Sequence, residues 1–229
     1  MRMTTATSRP TSARSADSWG VTLDYILGKK RAEEALGFLI ACGGALEAAA
    51  SHVEAVQSVL ALSVPYLADW AGADFEPAPG LARDPVRRSR TVADCAPELL
   101  EPLAAALAER TRSASPADQA TLLLTAESGE LHGVAADPGS GEPVATKTDP
   151  QLAGMAATAG VASALAVPLR RFDRQLGTLI LLRAANRPDA QFEAGPVELA
   201  VEVARRLSWV TDAFAARAAG PAAASLVSG

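Results

Sequence analysis

The sequence predicts an α/β fold, a three-layer α/β/α sandwich built around an antiparallel sheet. Two apolar stretches, 161–169 and 175–183, are joined by the short polar segment RRFDR. Neither stretch alternates apolar with polar residues, so both faces of the resulting hairpin are expected to be covered. Stretches with helical periodicity lie at 23–67 and from Pro196 onward, and they supply one covering layer.

The N-terminal third is expected to be an arm followed by two helices. Residues 1–22 are predicted to be a disordered arm, because this segment is rich in small and polar residues that bury little area. Gly43-Gly44 marks a weak point, where the first helix breaks or approaches a neighbour closely. Ser51 is predicted to cap a second helix with Glu54 as its capping-box partner, and Pro65 is predicted to end or kink that helix.

Short strands and one helix are predicted for the middle of the chain. The pattern indicates strands at 68–76 and 86–93 and a helix from Pro97 to about Arg110. The stretch 121–126 is ambiguous between a strand and a helical turn, and 129–134 is predicted to be a short strand.

Two more helices lie on either side of the apolar hairpin. Asp149 is predicted to cap the first of them, with Pro150 in its first turn and Gly160 at its C-terminal end. The helix from Pro196 carries an apolar stripe formed by Val197, Leu199, Ala200, Val203, Ala204, Leu207, Val210 and Phe214. Residues 220–229 are expected to form a flexible tail.

The composition excludes several classes of partner. Hydrophobic residues make up 49%, which is enough for a sizeable core, while aromatic residues make up 4% and the net charge is −5. These values argue against nucleic acid and against an anionic membrane as partners. No apolar run reaches the ~18 residues that span a bilayer, and the first 19 residues lack the apolar core of a secretory signal. Two cysteines without a CxxC spacing fit a reducing cytoplasm.

The hairpin and the segment after it resemble the C-terminal half of a GAF domain. In that family one strand ends in Val-Pro-Leu, a polar turn follows, and the next strand opens with Leu-Gly or Ile-Gly. The matching residues here are Val167, Pro168, Leu169, Leu176, Gly177, Phe192 and Leu199. The segment KKRAEEALGFLIACGGAL is similar to the linker helix between PAS and GAF domains of bacterial sensors. The resemblance spans about residues 30–218.

The resemblance implies a GAF-like sheet of five or six antiparallel strands within one domain at 23–219. The first and last helices would cover one face, while short helices and loops would enclose a small-molecule pocket on the other. Helices at 29–46 and 196–217 would pair with a second copy into a bundle, giving a homodimer. The sequence contains no kinase, phosphatase, cyclase or helix-turn-helix segment, so a signal would pass to a separate effector protein.

The candidate pocket lies between the sheet and the predicted helix at 149–160. Its candidate residues are Trp70, Phe75, Cys95, His132, Met155, Ser163, Leu165 and Thr178. Met155 on the helix and several residues on the sheet would give a mostly apolar wall with few polar groups. The alternative for these residues is ordinary core packing.

Specific cofactors find little support in the sequence. His132 is a possible haem or metal ligand, but with two histidines and no carboxylate cluster no metal site is predicted. Some GAF domains attach a bilin through cysteine, yet Cys95 lacks the neighbouring histidine. The cysteines of methionine sulfoxide reductases and the polar signature of cyclic-nucleotide-binding GAF domains are also missing. The cofactor is therefore left unknown.

Three functions remain open. The first is a non-catalytic module that senses a small molecule and acts through a dimer or a partner protein. The second is a structural or protein-interaction module whose pocket is filled by its own side chains. The third is an enzyme of a biosynthetic pathway that has recruited the fold, because fold alone does not decide function.

Overall fold

The computed structural model describes residues 13–78, 81, 85–89, 95–113, 121–128, 130–134 and 147–219. The helices and strands follow in chain order: α1 Ala13–Ala48, α2 His52–Tyr66, β1 Trp70–Phe75, β2 Val86–Ser89, α3 Pro97–Ser113, β3 Thr121–Thr125, β4 Glu130–Val134, β5 Lys147–Thr148, α4 Pro150–Thr158, β6 Val161–Arg171, β7 Arg174–Ala184 and α5 Ala194–Ala219. The chain divides into two units, residues up to Ile40 and residues from Ala41. The strands and helices α2 to α5 all lie in the second unit.

One antiparallel sheet, whose strands differ in length, forms the centre of the second unit. Its described strands run in the order β2-β1-β7-β6-β3-β4-β5, and every neighbouring pair is antiparallel. Six of the strands have four or more residues and β5 has two. The predicted antiparallel sheet of five or six strands is confirmed, with β5 as a short addition at the edge.

The predicted hairpin is the centre of this sheet and is buried on both faces. Ala164 pairs with Leu182 and Ala166 with Ile180 in the β6–β7 register. These four residues belong to a cluster with buried residues of α3 and α4. The intervening residues Leu165, Val167, Leu179 and Leu181 are also at most 2% exposed, on the face that carries α2 and α5. The three-layer arrangement is therefore confirmed.

The hairpin turn is tighter than the sequence suggested. Strand β6 continues to Arg171 and β7 resumes at Arg174, and these two residues pair directly. The polar segment RRFDR is thereby reduced to a two-residue turn, Phe172-Asp173. Phe172 has a φ of 54°, which places a bulky residue in the left-handed region of backbone space.

The ends of the helices confirm the predicted caps, but the first helix begins earlier in the chain than predicted. Ser51 Oγ accepts a hydrogen bond from the Glu54 amide at 3.2 Å, and the Glu54 carboxylate accepts one from the Ala50 amide at 2.9 Å. Helix α1 begins at Ala13, so residues 13–22 are helical where a disordered arm was expected. Residues 1–12 and 220–229 lie outside the described residues.

The glycine pair does not break α1, which continues to Ala48. A Cβ at Gly43 would come within 3.4 Å of the Arg206 guanidinium, so this position does allow a close approach by α5. In α2 the backbone leaves the helical conformation at Val64, directly before Pro65. The proline therefore marks the kink that the sequence predicted, since it removes a helical hydrogen bond.

A buried arginine fixes the segment between β7 and α5. Arg183 is 2% exposed, and its guanidinium donates hydrogen bonds to the Leu67, Asp189 and Gln191 carbonyls at 2.7–2.9 Å. The same group stacks on the Phe192 ring, 4.2 Å from its centroid. The arginine thus ties the end of α2 to the segment after β7, and it gives the buried Leu67 carbonyl a donor.

Among the helices of the described residues, none is long and apolar enough to cross a membrane.

Candidate functional site

A surface groove between α3 and α4 is the candidate binding site. Helix α3 buries Leu103 and Leu107 against the sheet, and α4 buries Leu152 and Ala156 beside them. Met155 is only partly buried and divides the groove into two depressions. One has a volume of about 240 Å³ and is lined by Ala106, Glu109, Arg110, Ser113, Asp149, Gln151, Leu152 and Met155. The other, of about 250 Å³, is lined by Leu99, Pro102, Gly154, Met155 and Thr158.

The first depression combines an apolar wall with a polar end. Asp149 caps α4, since its Oδ1 accepts a hydrogen bond from the Leu152 amide at 3.1 Å. The other carboxylate oxygen lies 3.4 Å from a guanidinium nitrogen of Arg110, whose side chain is 46% exposed. The capping role fixes Asp149 in place, and the exposed arginine remains accessible to an anionic group from solvent. This end of the groove is therefore suited to binding a polar group.

The family model of the GAF domain matches residues 45–210, which is most of the chain. The chain belongs to the GAF domain family. No curated protein is a significant match for the sequence.

Solved structures of GAF domains share this fold. The phycoerythrobilin-bound GAF domain of a cyanobacterial phytochrome is 12% identical, with a TM-score of 0.54 over 81% of this chain and 98% of that chain. A phycocyanobilin-bound GAF domain of a cyanobacterial phytochrome is also 12% identical, with a TM-score of 0.53 over 80% of this chain and 96% of that chain. The GAF domain of a putative sensor histidine kinase from Pseudomonas syringae pv. tomato is 16% identical, with a TM-score of 0.48 over 83% and 94% of the two chains.

Four of the predicted site residues lie on or beside the α3–α4 layer of this GAF domain. Met155 borders both depressions. Trp70 is 6% exposed within the core cluster, where the Arg87 guanidinium lies 5.4 Å from its ring centroid. The Cys95 thiol donates to the Gly160 carbonyl at 3.7 Å, which links the start of α3 to the end of α4. Thr178 shares the face of Ile180 and accepts a hydrogen bond from Gln175.

The other predicted residues are not brought to this groove. Leu165 pairs with Leu181 on the opposite face of the sheet. Ser163 lies on that same face, and its hydroxyl donates to the Ala190 carbonyl. Phe75 contacts His52, with ring centroids 4.4 Å apart. His132 is described only as a backbone position in β4, opposite Leu123. The predicted pocket wall of Met155, Ser163, Leu165 and Thr178 is therefore divided between two faces.

Sequence reasoning missed the charged residues of the groove. In the sequence, Arg110 marks only the end of a helix and Asp149 only a cap. Their proximity depends on how α3 and α4 pack, which local periodicity does not specify. The cap at Asp149 was the one signal available, since it placed a carboxylate at the start of the short helix.

Two buried titratable groups of the GAF domain are unsuited to catalysis at neutral pH. His52 is 3% exposed, and its desolvation lowers the pKa to about 4. Its Nε2 lies 3.3 Å from the Thr211 hydroxyl. Cys42 is fully buried, and desolvation raises the pKa of its thiol to about 11. At pH 7 the imidazole is therefore neutral and the thiol protonated, and neither lines the groove.

The burial of His52 predicts a loss of stability in mild acid. As the pH falls below the ordinary pKa of 6.5, the unfolded chain binds a proton that the folded chain excludes down to about pH 4. The free energy of unfolding should therefore fall by about 2 kcal/mol between pH 7 and pH 5 through this residue. Urea titrations of the native chain and of His52→Gln measure the effect, and the variant should show a flatter pH profile.

The same titration contains its own control. The pKa of Glu202 is lowered to about 2, first by its hydrogen bond with Arg205, so this carboxylate adds little above pH 5 in either protein. Parallel pH profiles for the two proteins would contradict the assignment.

Proposed function

We propose that this GAF domain is a non-catalytic regulatory module that binds a small molecule in the groove between α3 and α4. The observation that carries the proposal is the first depression, where an apolar wall at Leu152 and Met155 meets the exposed Arg110 beside Asp149. Binding sites for small molecules commonly combine apolar walls with a few polar groups. The ligand class that fits is a small molecule with an apolar body and a polar group.

The similar solved structures support this proposal. Two of the solved GAF domains named above hold bilins, so the same architecture accommodates small molecules in other proteins. Within the described residues no group of three or more His, Cys, Asp and Glu side chains is arranged to hold a metal ion. The described cysteines, Cys42 and Cys95, form no disulfide, which suits the reducing cytoplasm as the place of action.

Signal output is proposed to pass through a homodimer and a separate effector protein. Helix α1 exposes Ile26, Leu36 and Ile40, which are 54%, 59% and 65% exposed. Ile26 and Ile40 are two heptads apart, and Leu36 lies one helical turn before Ile40, so these side chains lie along one side of α1. A second copy of α1 would cover this stripe and join two regulatory domains.

Ligand binding in the groove is tested by native mass spectrometry of the purified chain. We expect one small molecule bound to each chain, in a complex that contains two chains. Met155→Trp should remove the ligand, because the indole fills both depressions, and Arg110→Ala should weaken it by about tenfold or more through the lost charge-assisted contact.

Two matched variants act as controls. Val53→Trp adds the same ring at an exposed position of α2, and Arg205→Ala removes an exposed arginine of α5 that does not line the groove. Both should retain the ligand. Equal ligand content in all four variants, or none in the native chain, would contradict binding in the groove.

The packing of the same layer favours a second candidate, an interaction module with a filled interior. Leu103, Leu107, Leu124, Ala164 and Ile180 are all fully buried between α3 and the sheet. In the part of the chain that the structure describes, these side chains fill the space between α3 and the sheet. Absence of any ligand from the native chain would favour this second candidate.

A further inference from the structure

The tip of the β6–β7 hairpin carries an exposed aromatic surface that the proposed function does not use. Phe172 is 80% exposed and Trp209, on α5, is 52% exposed. The Arg171 guanidinium lies between them, 3.3 Å from the Trp209 ring centroid and 4.1 Å from that of Phe172. We call Arg171, Phe172 and Trp209 the tip patch.

Phe172 is unfavourable at this position for two independent reasons. In a two-residue hairpin turn, a first residue with positive φ is normally glycine, because other side chains are strained there. Phe172 adopts a φ of 54° and also exposes its ring to water. Neither feature stabilises the fold, and strained residues concentrate at functional sites.

The tip patch is held in a fixed arrangement. Arg171 Nε lies 3.7 Å from the Asp212 carboxylate, and the Arg171 side chain is 19% exposed. Stacking against this anchored guanidinium restricts both aromatic rings before any partner arrives. A preordered surface loses less side-chain entropy on binding, and Trp and Arg are the residues enriched in the energetic centres of protein interfaces.

The charge around the tip patch indicates the chemistry of the partner. The segment 170–174 contains three arginines and one aspartate, and Asp212 pairs with Arg171, so positive charge is in excess at the tip of a chain whose net charge is −5. Arg174 is exposed and makes no ion pair with any of the described residues. An acidic partner is therefore complementary to this basic tip, whereas the chain as a whole would repel it.

We propose that the tip patch is a docking site for an acidic segment of a partner protein. A carboxylate of that segment pairs with the exposed Arg174, and an apolar side chain packs against the rings of Phe172 and Trp209. The site is separate from the groove between α3 and α4, so its test does not depend on the proposed ligand.

Binding is measured with fluorescently labelled synthetic peptides added to the full chain. The probe is a short peptide of Asp and Glu around one Leu and one Phe, and its control has Lys at every acidic position. We expect the acidic peptide to bind by fluorescence anisotropy, with an affinity that falls as salt screens the arginines. The lysine peptide should not bind.

One substitution separates docking from folding. Phe172→Gly removes the ring and relieves the positive φ, so the variant should keep the melting temperature of the native chain while binding the acidic peptide about 30-fold more weakly. Trp209→Ser should weaken binding similarly. Tyr66→Ser, which removes an exposed aromatic residue of α2, should leave the affinity unchanged.

Four results would overturn the proposal. They are equal binding of the acidic and lysine peptides, no binding of either, an unchanged affinity in Phe172→Gly, and a changed sedimentation mass of the free Phe172→Gly variant, which would make the tip patch a contact between copies. Binding to phosphatidylserine vesicles but not to the acidic peptide would assign the patch to a membrane surface instead.

Discussion

Arg183→Met is expected to lower the free energy of unfolding by about 3–5 kcal/mol. The side chain is 2% exposed, and methionine fills a similar length but donates no hydrogen bond. Three carbonyl oxygens, those of Leu67, Asp189 and Gln191, then lose their donor. The loss is largest at the buried Leu67 carbonyl, because water does not replace the missing donor there. Urea unfolding followed by circular dichroism measures the change.

A surface arginine provides the control for this substitution. Arg205 bonds Glu202 at the exposed face of α5, and Arg205→Met should cost only about 0.5 kcal/mol, as exposed ion pairs do. Arg183→Lys should fall between the two, because one ammonium does not reproduce the planar fork of the guanidinium. Similar losses for Arg183→Met and Arg205→Met would show that the buried hydrogen bonds contribute little.

Gly177→Ala is expected to destabilise the domain by about 3 kcal/mol, because it overpacks the centre of the sheet. A Cβ at this position would lie 2.2 Å from the backbone oxygen of Asp74 and 3.1 Å from the Phe75 Cα. Backbone atoms do not rotate away as a side chain does, so β1 must shift relative to β7. The Leu-Gly signature of the second hairpin strand thereby has a physical cause, which is the close approach of β1.

Gly44→Ala is the matched substitution with the opposite sign. This glycine lies in α1, and a Cβ added to it would meet no atom within 4 Å, so alanine should raise stability by up to about 1 kcal/mol through helix propensity. Thermal unfolding of both variants gives the comparison. A Gly177→Ala protein as stable as the native chain would mean that β1 and β7 tolerate a wider separation.

Local signals predicted much of the fold. Ser51, Asp149 and Gly160 specify helix ends through contacts with residues a few positions away, and each lies where it was predicted. The hairpin was predicted because an uninterrupted apolar pattern on both strands requires cover on both faces. These features depend on residues adjacent in sequence, which a single chain displays directly.

The candidate site depended on longer-range information. Along β6, the residues that face one side of the sheet and those that face the other are both apolar. The pattern therefore does not show which face carries Leu165 and which carries Ala164. The structure places the small residues Ala164 and Ala166 toward α3 and α4. In the sequence, Arg183 looks like the polar end of a strand, because its carbonyl partners on residues 67, 189 and 191 come together only in the folded chain.

The outermost strands of the described sheet bear on aggregation through strand addition. Strand β2 has four residues, including the exposed Arg88, and β5 has two, Lys147 and Thr148. Short, positively charged margins make poor templates for adding a strand from another molecule. These two margins of the described sheet therefore disfavour edge-to-edge polymerisation of crowded copies.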